Sequence, residues 1–215
     1  MLRRALLVAL LALVTVPIAA QGPAGWKVRP DGGNATLSVM PTEKGFQLAG
    51  GPGIFFNPAN TVKPIYRVRA VFTQLKAPAK PTYYGLFFGG NEMDGTAPEY
   101  VYFAIAQDGS FIIRHRAGAQ VDEMDKSLHY AIKKPDAAGK AVNTLEVQVA
   151  PTAVSYLVNG AVVDATPTRA AIAGDSFTVT EKIGGIVGVR VDDPIDVQVD
   201  GFLFQSPFSL NDRGQ

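Results

Sequence analysis

The chain of 215 residues contains no cysteine, only two histidines, one tryptophan and no excess of either charge, with 20 basic side chains against 19 acidic. Without cysteine there is no disulfide framework, Fe–S cluster, thiolate zinc site, cysteine nucleophile or lipid-anchored lipoprotein. His115 and His129 stand fourteen residues apart, without the H-x-x-x-H or H-E-x-x-H spacing of a metal site. A near-neutral chain lacks the basic face that neutralises a phosphate backbone, which excludes nucleic acid as the expected partner. Amphipathic helical stripes of twelve residues are also missing, and so is any Gly-x-Ser-x-Gly elbow.

One apolar run stands out at the start. Arg3 and Arg4 precede Ala5 to Ile18, which ends at Ala19 and Ala20 before Gln21. A basic start, an apolar stretch and a small-residue end describe a signal peptide over residues 1–20. The run falls short of the ~18 to 20 apolar residues that span a bilayer. The expectation is a single domain over 21–215, secreted or periplasmic, with no membrane attachment after cleavage. That mature portion loses Arg3 and Arg4 and carries 18 basic against 19 acidic side chains.

From Trp26 onward, short alternating apolar stretches are punctuated by Gly, Pro, Asn and Asp, which predicts an all-β protein: a two-sheet antiparallel jelly-roll sandwich. The predicted strands are 36–40, 45–48, 54–56, 66–74, 83–88, 100–106, 111–116, 128–132, 144–149, 154–158, 161–163, 186–191 and 195–204. Residues 117–126 and 166–185 read as loops, the second with a short helical turn over 167–172. The cluster Gly50-Gly51-Pro52-Gly53 lacks the Lys-Ser/Thr of a phosphate loop and reads as a turn.

The hairpin at Asp108-Gly109 admits two loop lengths. A two-residue loop sets Phe103 opposite Arg114 and puts apolar groups on both faces. A three-residue loop, Gln107-Asp108-Gly109, pairs Ala106 with Ser110 and gathers Val101, Phe103, Ile105, Phe111 and Ile113 on one face. Because a one-residue slip turns a whole strand over, burial selects the second register. Tyr102 then lies across from Arg114 and Tyr100 across from Arg116. In the stretch 66–74, Arg67 and Arg69 alternate with Tyr66, Val68, Ala70 and Phe72. Arg67, Arg69, Tyr100, Tyr102, Arg114 and Arg116 are therefore expected to pave one sheet face. Phenol rings and guanidinium forks suit the apolar faces and hydroxyl or carboxylate oxygens of a sugar, and the same groups also stabilise a bare sheet as cross-strand pairs.

Catalytic signals are sparse. Glu92-Met93-Asp94 and Glu123-Met124-Asp125 begin like the Glu-x-Asp-x-x-Glu pattern of laminarinase-type hydrolases, yet neither continues to a second glutamate, and both fall in predicted loops. His115 falls on the core-side register. Asp192-Asp193 and Asp200 have the oxygen chemistry of a calcium site and equally that of ordinary turns. No catalytic residue, cofactor or metal ligand is assigned.

Asn143-Thr144-Leu145-Glu146-Val147, followed by Val154 to Asn159-Gly160, resembles a signature of concanavalin A-like lectin/glucanase sandwiches, including laminin G-like domains. Tyr100 to Phe103 leading to Asp108-Gly109-Ser110-Phe111, then Ile186 to Val189 and Val199-Asp200-Gly201-Phe202, extend the likeness from Trp26 to Phe204. Within that superfamily the chain is similar to exported bacterial domains of the 3-keto-disaccharide hydrolase type, from which no catalytic residue carries over position by position. The resemblance implies a jelly roll. Together with the Arg/Tyr face it leads to the expectation of an exported, non-catalytic carbohydrate-binding module with a glycan or oligosaccharide partner. The alternatives are a glycoside hydrolase using Glu92, Asp94 or Glu99 near the mouth of that face, and a structural or protein-interaction domain without a small ligand.

Overall fold

The computed structural model describes residues 23–167 and 183–207. The expected leader over 1–20 lies outside them, as does most of the turn expected over 167–172. The described chain forms fourteen strands: β1 Lys27–Pro30, β2 Thr36–Pro41, β3 Gly45–Gly51, β4 Gly53–Val62, β5 Tyr66–Gln74, β6 Tyr84–Asn91, β7 Glu99–Ile105, β8 Ser110–Ala117, β9 Gln120–Leu128, β10 Ala141–Val149, β11 Ala153–Val158, β12 Ala161–Pro167, β13 Gly185–Val191 and β14 Ile195–Gln205. They assemble into two antiparallel seven-stranded sheets. The first runs β1-β4-β13-β6-β7-β8-β9, the second β12-β11-β10-β5-β14-β3-β2. This is the two-sheet jelly-roll sandwich that the alternation pattern predicts.

The inward faces carry the residues that period-two reading assigns to them. Val101, Phe103, Ile105, Phe111 and Ile113 from the first sheet meet Val68, Ala70, Phe72, Leu145 and Val147 from the second in one core. The Asp108 hairpin has the three-residue loop: the Ala106 N–H donates to the Ser110 carbonyl at 2.8 Å, and Gly109 takes φ +92°, where a side chain would be strained. Tyr102 faces Arg114 and Tyr100 faces Arg116, as that register requires.

Two expectations need correction. Residues 117–126 are mostly strand β9, not a loop, and the predicted strand 128–132 is a tight turn following it. As the outermost strand of its sheet, β9 is solvated on both sides, so it shows no apolar alternation from which to recognise it. The short edge strand β1 is likewise largely exposed and carries no alternation to predict it.

The segment resembling the lectin signature has a structural function. Asn159 and Gly160 adopt φ +52° and +84° in a two-residue hairpin between β11 and β12. The Asn159 amide accepts from the Thr144 N–H at 2.9 Å and donates to the Ala131 carbonyl and to Asn143 Oδ1. Asn143, buried, exchanges two bonds with the Lys133 backbone. The two asparagines thus fasten the 129–133 turn to β10 and β11.

Candidate functional site

The first sheet is buried on its outer face as well. Ile54, Phe56, Phe87, Tyr100, Tyr102, Ala104 and Ile112 form a second apolar cluster there, and Met93 packs into it from the loop between β6 and β7. Gly188 makes room for it: a Cβ at that position would sit 2.5 Å from the Phe87 ring. Tyr100 and Tyr102 are each only 1% exposed. Their rings are therefore floor, not platform, and what lies over them is charge.

Six ionic side chains run across this floor in alternating sign: Glu123, Arg114, Asp192, Arg190, Asp31 and Arg116. Arg114 reaches Glu123 Oε2 at 2.7 Å and Asp192 Oδ2 at 2.9 Å. Arg190 reaches Asp192 Oδ1 and Asp31 Oδ2, both at 2.6 Å, and Arg116 closes the row on Asp31 Oδ2 at 2.6 Å. The phenols join from below. Tyr102 donates to Asp192 at 3.3 Å, Tyr100 accepts from Arg190 at 3.1 Å, and the Arg190 guanidinium stands 5.2 Å from the Tyr102 ring centre.

Each member is placed by its own element. Arg190 points outward from β13 because Val187, Val189 and Val191 alternate inward. Asp192 follows directly, fixed by its N–H bond to the Tyr83 carbonyl. Asp31 leaves β1 and is held by its N–H bond to Pro52. A register shift in the pairing of β8 with β9, between Ile113 and Arg114, brings Glu123 opposite Arg114.

Burial opposes charge along the row, and pairing overcomes it. Burial pushes the Asp31 carboxyl upward, but the hydrogen bond from Arg190 and the charges of Arg190 and Arg116 outweigh it, holding the group below the usual carboxylate range. Burial likewise works against the Arg190 cation, yet Tyr100 and the two aspartates keep it more firmly protonated than an ordinary arginine. Tyr102 is pushed up to about 12 by burial and by the nearby Asp192 charge, so its phenol stays neutral. Exposure is graded: Arg190 is 3% exposed at the side chain, Arg114 24% and Glu123 44%. The Glu123–Arg114 end is the part of the row open to a ligand.

Of the six expected site residues, Tyr100, Tyr102, Arg114 and Arg116 are brought together. Arg67 and Arg69 are not: they project from β5, which pairs with β10 and β14 in the second sheet. Alternation within a strand gives the side on which a residue lies, not the sheet to which the strand belongs. Glu99 is also misplaced by the expectation. It lies on the core side of β7, where it meets His115 Nε2 at 3.4 Å, while Asp94 pairs with Lys27. The second Glu-Met-Asp triplet is on β9, with Glu123 bound to Arg114. Asp193 pairs with Lys80, and Asp200 accepts from Gln198. No group of three or more metal-ligating side chains occurs among the described residues. Asp31, Glu123, Arg190 and Asp192 lie in the row although none was among the expected site residues. Arg190 carries a signal as a lone cation inside an alternating valine strand, and Glu123 and Asp192 stood out for other chemistry.

The architecture is that of a concanavalin A-like, galectin-like jelly-roll fold. The protein is similar to the carbohydrate binding module CBM66 from Bacillus subtilis, with TM-score 0.58 and 10% identity, covering 85% of this chain and 96% of that one. It is also similar to a protein of unknown function with a galectin-like fold from Bacillus subtilis, with TM-score 0.62 and 13% identity, covering 84% and 88%. At these identities the likeness is one of fold. No protein family profile matches the chain, and no curated protein matches it in sequence.

Proposed function

We propose that the protein is an exported, non-catalytic glycan-binding domain whose contact surface is the open end of the ionic row, Arg114 and Glu123, backed by Asp192 and Arg190. The observation that carries this reading is the preorganised alternation of guanidinium and carboxylate groups over a buried aromatic floor. Such a surface offers donors and acceptors at fixed positions, which is how saccharide hydroxyls are held with little ordering cost. The printed description of the Bacillus subtilis module as carbohydrate binding is consistent with it. Binding is favoured over turnover because Asp31, paired with two arginines, is held below the usual carboxylate range, whereas a general acid must keep a proton near neutral pH. Export rests on the leader alone. Its test is the N-terminus of the protein recovered from the cell envelope or medium, expected at Gln21.

The decisive experiment screens the protein against a broad glycan panel, scoring binding and bond cleavage together. Binding without cleavage is expected, and Arg114→Ala and Glu123→Ala should each weaken it about ten-fold or more, the equivalent of about 1.4 kcal/mol. Cleavage would replace this reading with a hydrolase. Silence in both assays would favour the structural alternative, to which the burial of the phenols and the pairing of each arginine in the row also lend support.

A further inference from the structure

Resting on the saccharide reading above, we infer that the row selects uncharged saccharides by their hydroxyls and turns away uronates and sulfated sugars. Three guanidiniums and three carboxylates cancel. On β9, Asp122 and Asp125 pair with His115 and Ile113 on the opposite side of the strand and do not add to the row.

The hydrogen bonds of Arg114 show why an anion fits poorly. Its Nε and Nη2 both donate to Glu123 Oε2, and its Nη1 donates to Asp192. An incoming carboxylate or sulfate must compete with those two side chains for the same guanidinium while facing their charges. It exchanges one ion pair for another and pays the desolvation of its own charge. A hydroxyl avoids this exchange. A guanidinium has five N–H groups, of which three go to Glu123 and Asp192 and one more faces the Tyr102 phenol, and a carboxylate oxygen carries two lone pairs. One sugar hydroxyl can accept from a remaining Arg114 N–H and donate to Glu123 without breaking the row. Neighbouring hydroxyls on a sugar ring can repeat that contact along the alternating groups.

The test titrates the protein with a neutral set of gluco-, galacto-, manno- and fructo-oligosaccharides and with an anionic set of oligogalacturonates and sulfated disaccharides, at low and high salt. Binding within the neutral set, with affinity unchanged by salt, is the expected result. Binding confined to the anionic set and weakening as salt rises would overturn the inference while leaving the saccharide reading in place. Failure of both sets would remove that reading too. Glu123→Gln supplies an independent arm, with near-ultraviolet circular dichroism confirming the fold. It gives the row a net positive charge, so neutral binding should fall about ten-fold and binding to the anionic set should rise. No change in either would show that the row does not set the preference.

Discussion

At the scale of single residues, the most consequential side chain is one that a ligand barely reaches. Arg190 is almost wholly buried and holds Asp31, Asp192 and Tyr100 at once. Arg190→Ala leaves two carboxylates short of their counter-ion, and removing one partner of a buried pair typically costs about 3–5 kcal/mol. A lower urea midpoint with an unchanged slope is the expected reading. Asp31 makes the row sensitive to acid, with a definite sign. Its folded carboxyl is held below the ordinary range, so its contribution is complete above that range and is lost as pH falls through the folded value. The stability difference between the wild type and Asp31→Asn, measured from urea midpoints, should therefore shrink as the solution is acidified. A difference that stayed constant would mean that Asp31 acts through packing alone.

At the scale of elements, the Asn159-Gly160 hairpin and the open sandwich edge behave differently. Asn159 combines a left-handed backbone with three side-chain hydrogen bonds that tie β10, β11 and the 129–133 turn. Asn159→Ala should cost about 2–4 kcal/mol, since both the strain and the lost bonds count against it, whereas Asn159→Gly relieves the strain and should cost less. Thermal melts of the two variants separate the contributions. The hairpin was legible in the sequence because Asn-Gly chemistry is local; its role in pinning a turn about thirty residues upstream was not. On edge strand β12, burial raises the Asp164 carboxyl and the charge of Asp125 on β9 adds to it, so its ionised form is disfavoured by the fold. The sign is opposite to that of Asp31: stability from this group is gained as pH falls through its raised value. Asp164→Asn should accordingly raise the melting temperature at neutral pH, and a lowered one would contradict this.

At the scale of the whole molecule, the sheets join strands far apart in the chain: β5 lies between β10 and β14, and β4 pairs with β13. Chains dominated by such pairings fold on the millisecond-to-second scale. Trp26 stacks on Phe55 at 4.6 Å and meets Phe202 edge-on at 5.1 Å, which joins the segment entering β1 to β14. Its fluorescence in stopped-flow refolding should report sandwich closure on that scale, and a microsecond phase carrying the full amplitude would argue against it. The all-β class, the inward stripes and the register of β7 on β8 were readable from the residues alone, because period-two alternation and turn chemistry depend on neighbours within a few positions. So was the outward direction of Tyr100, Tyr102, Arg114 and Arg116 from the main core. What only the tertiary structure decided was which sheet each strand joined and what settled over its outer face. Arg67 and Arg69 went to the opposite side of the molecule, and Asp31, Asp192 and Glu123 arrived from three separate places to neutralise the arginines. Alternation along one strand cannot encode that meeting, since it is fixed by strand order, by the shifted pairing of β8 with β9, and by the free energy of pairing charges that burial would otherwise penalise.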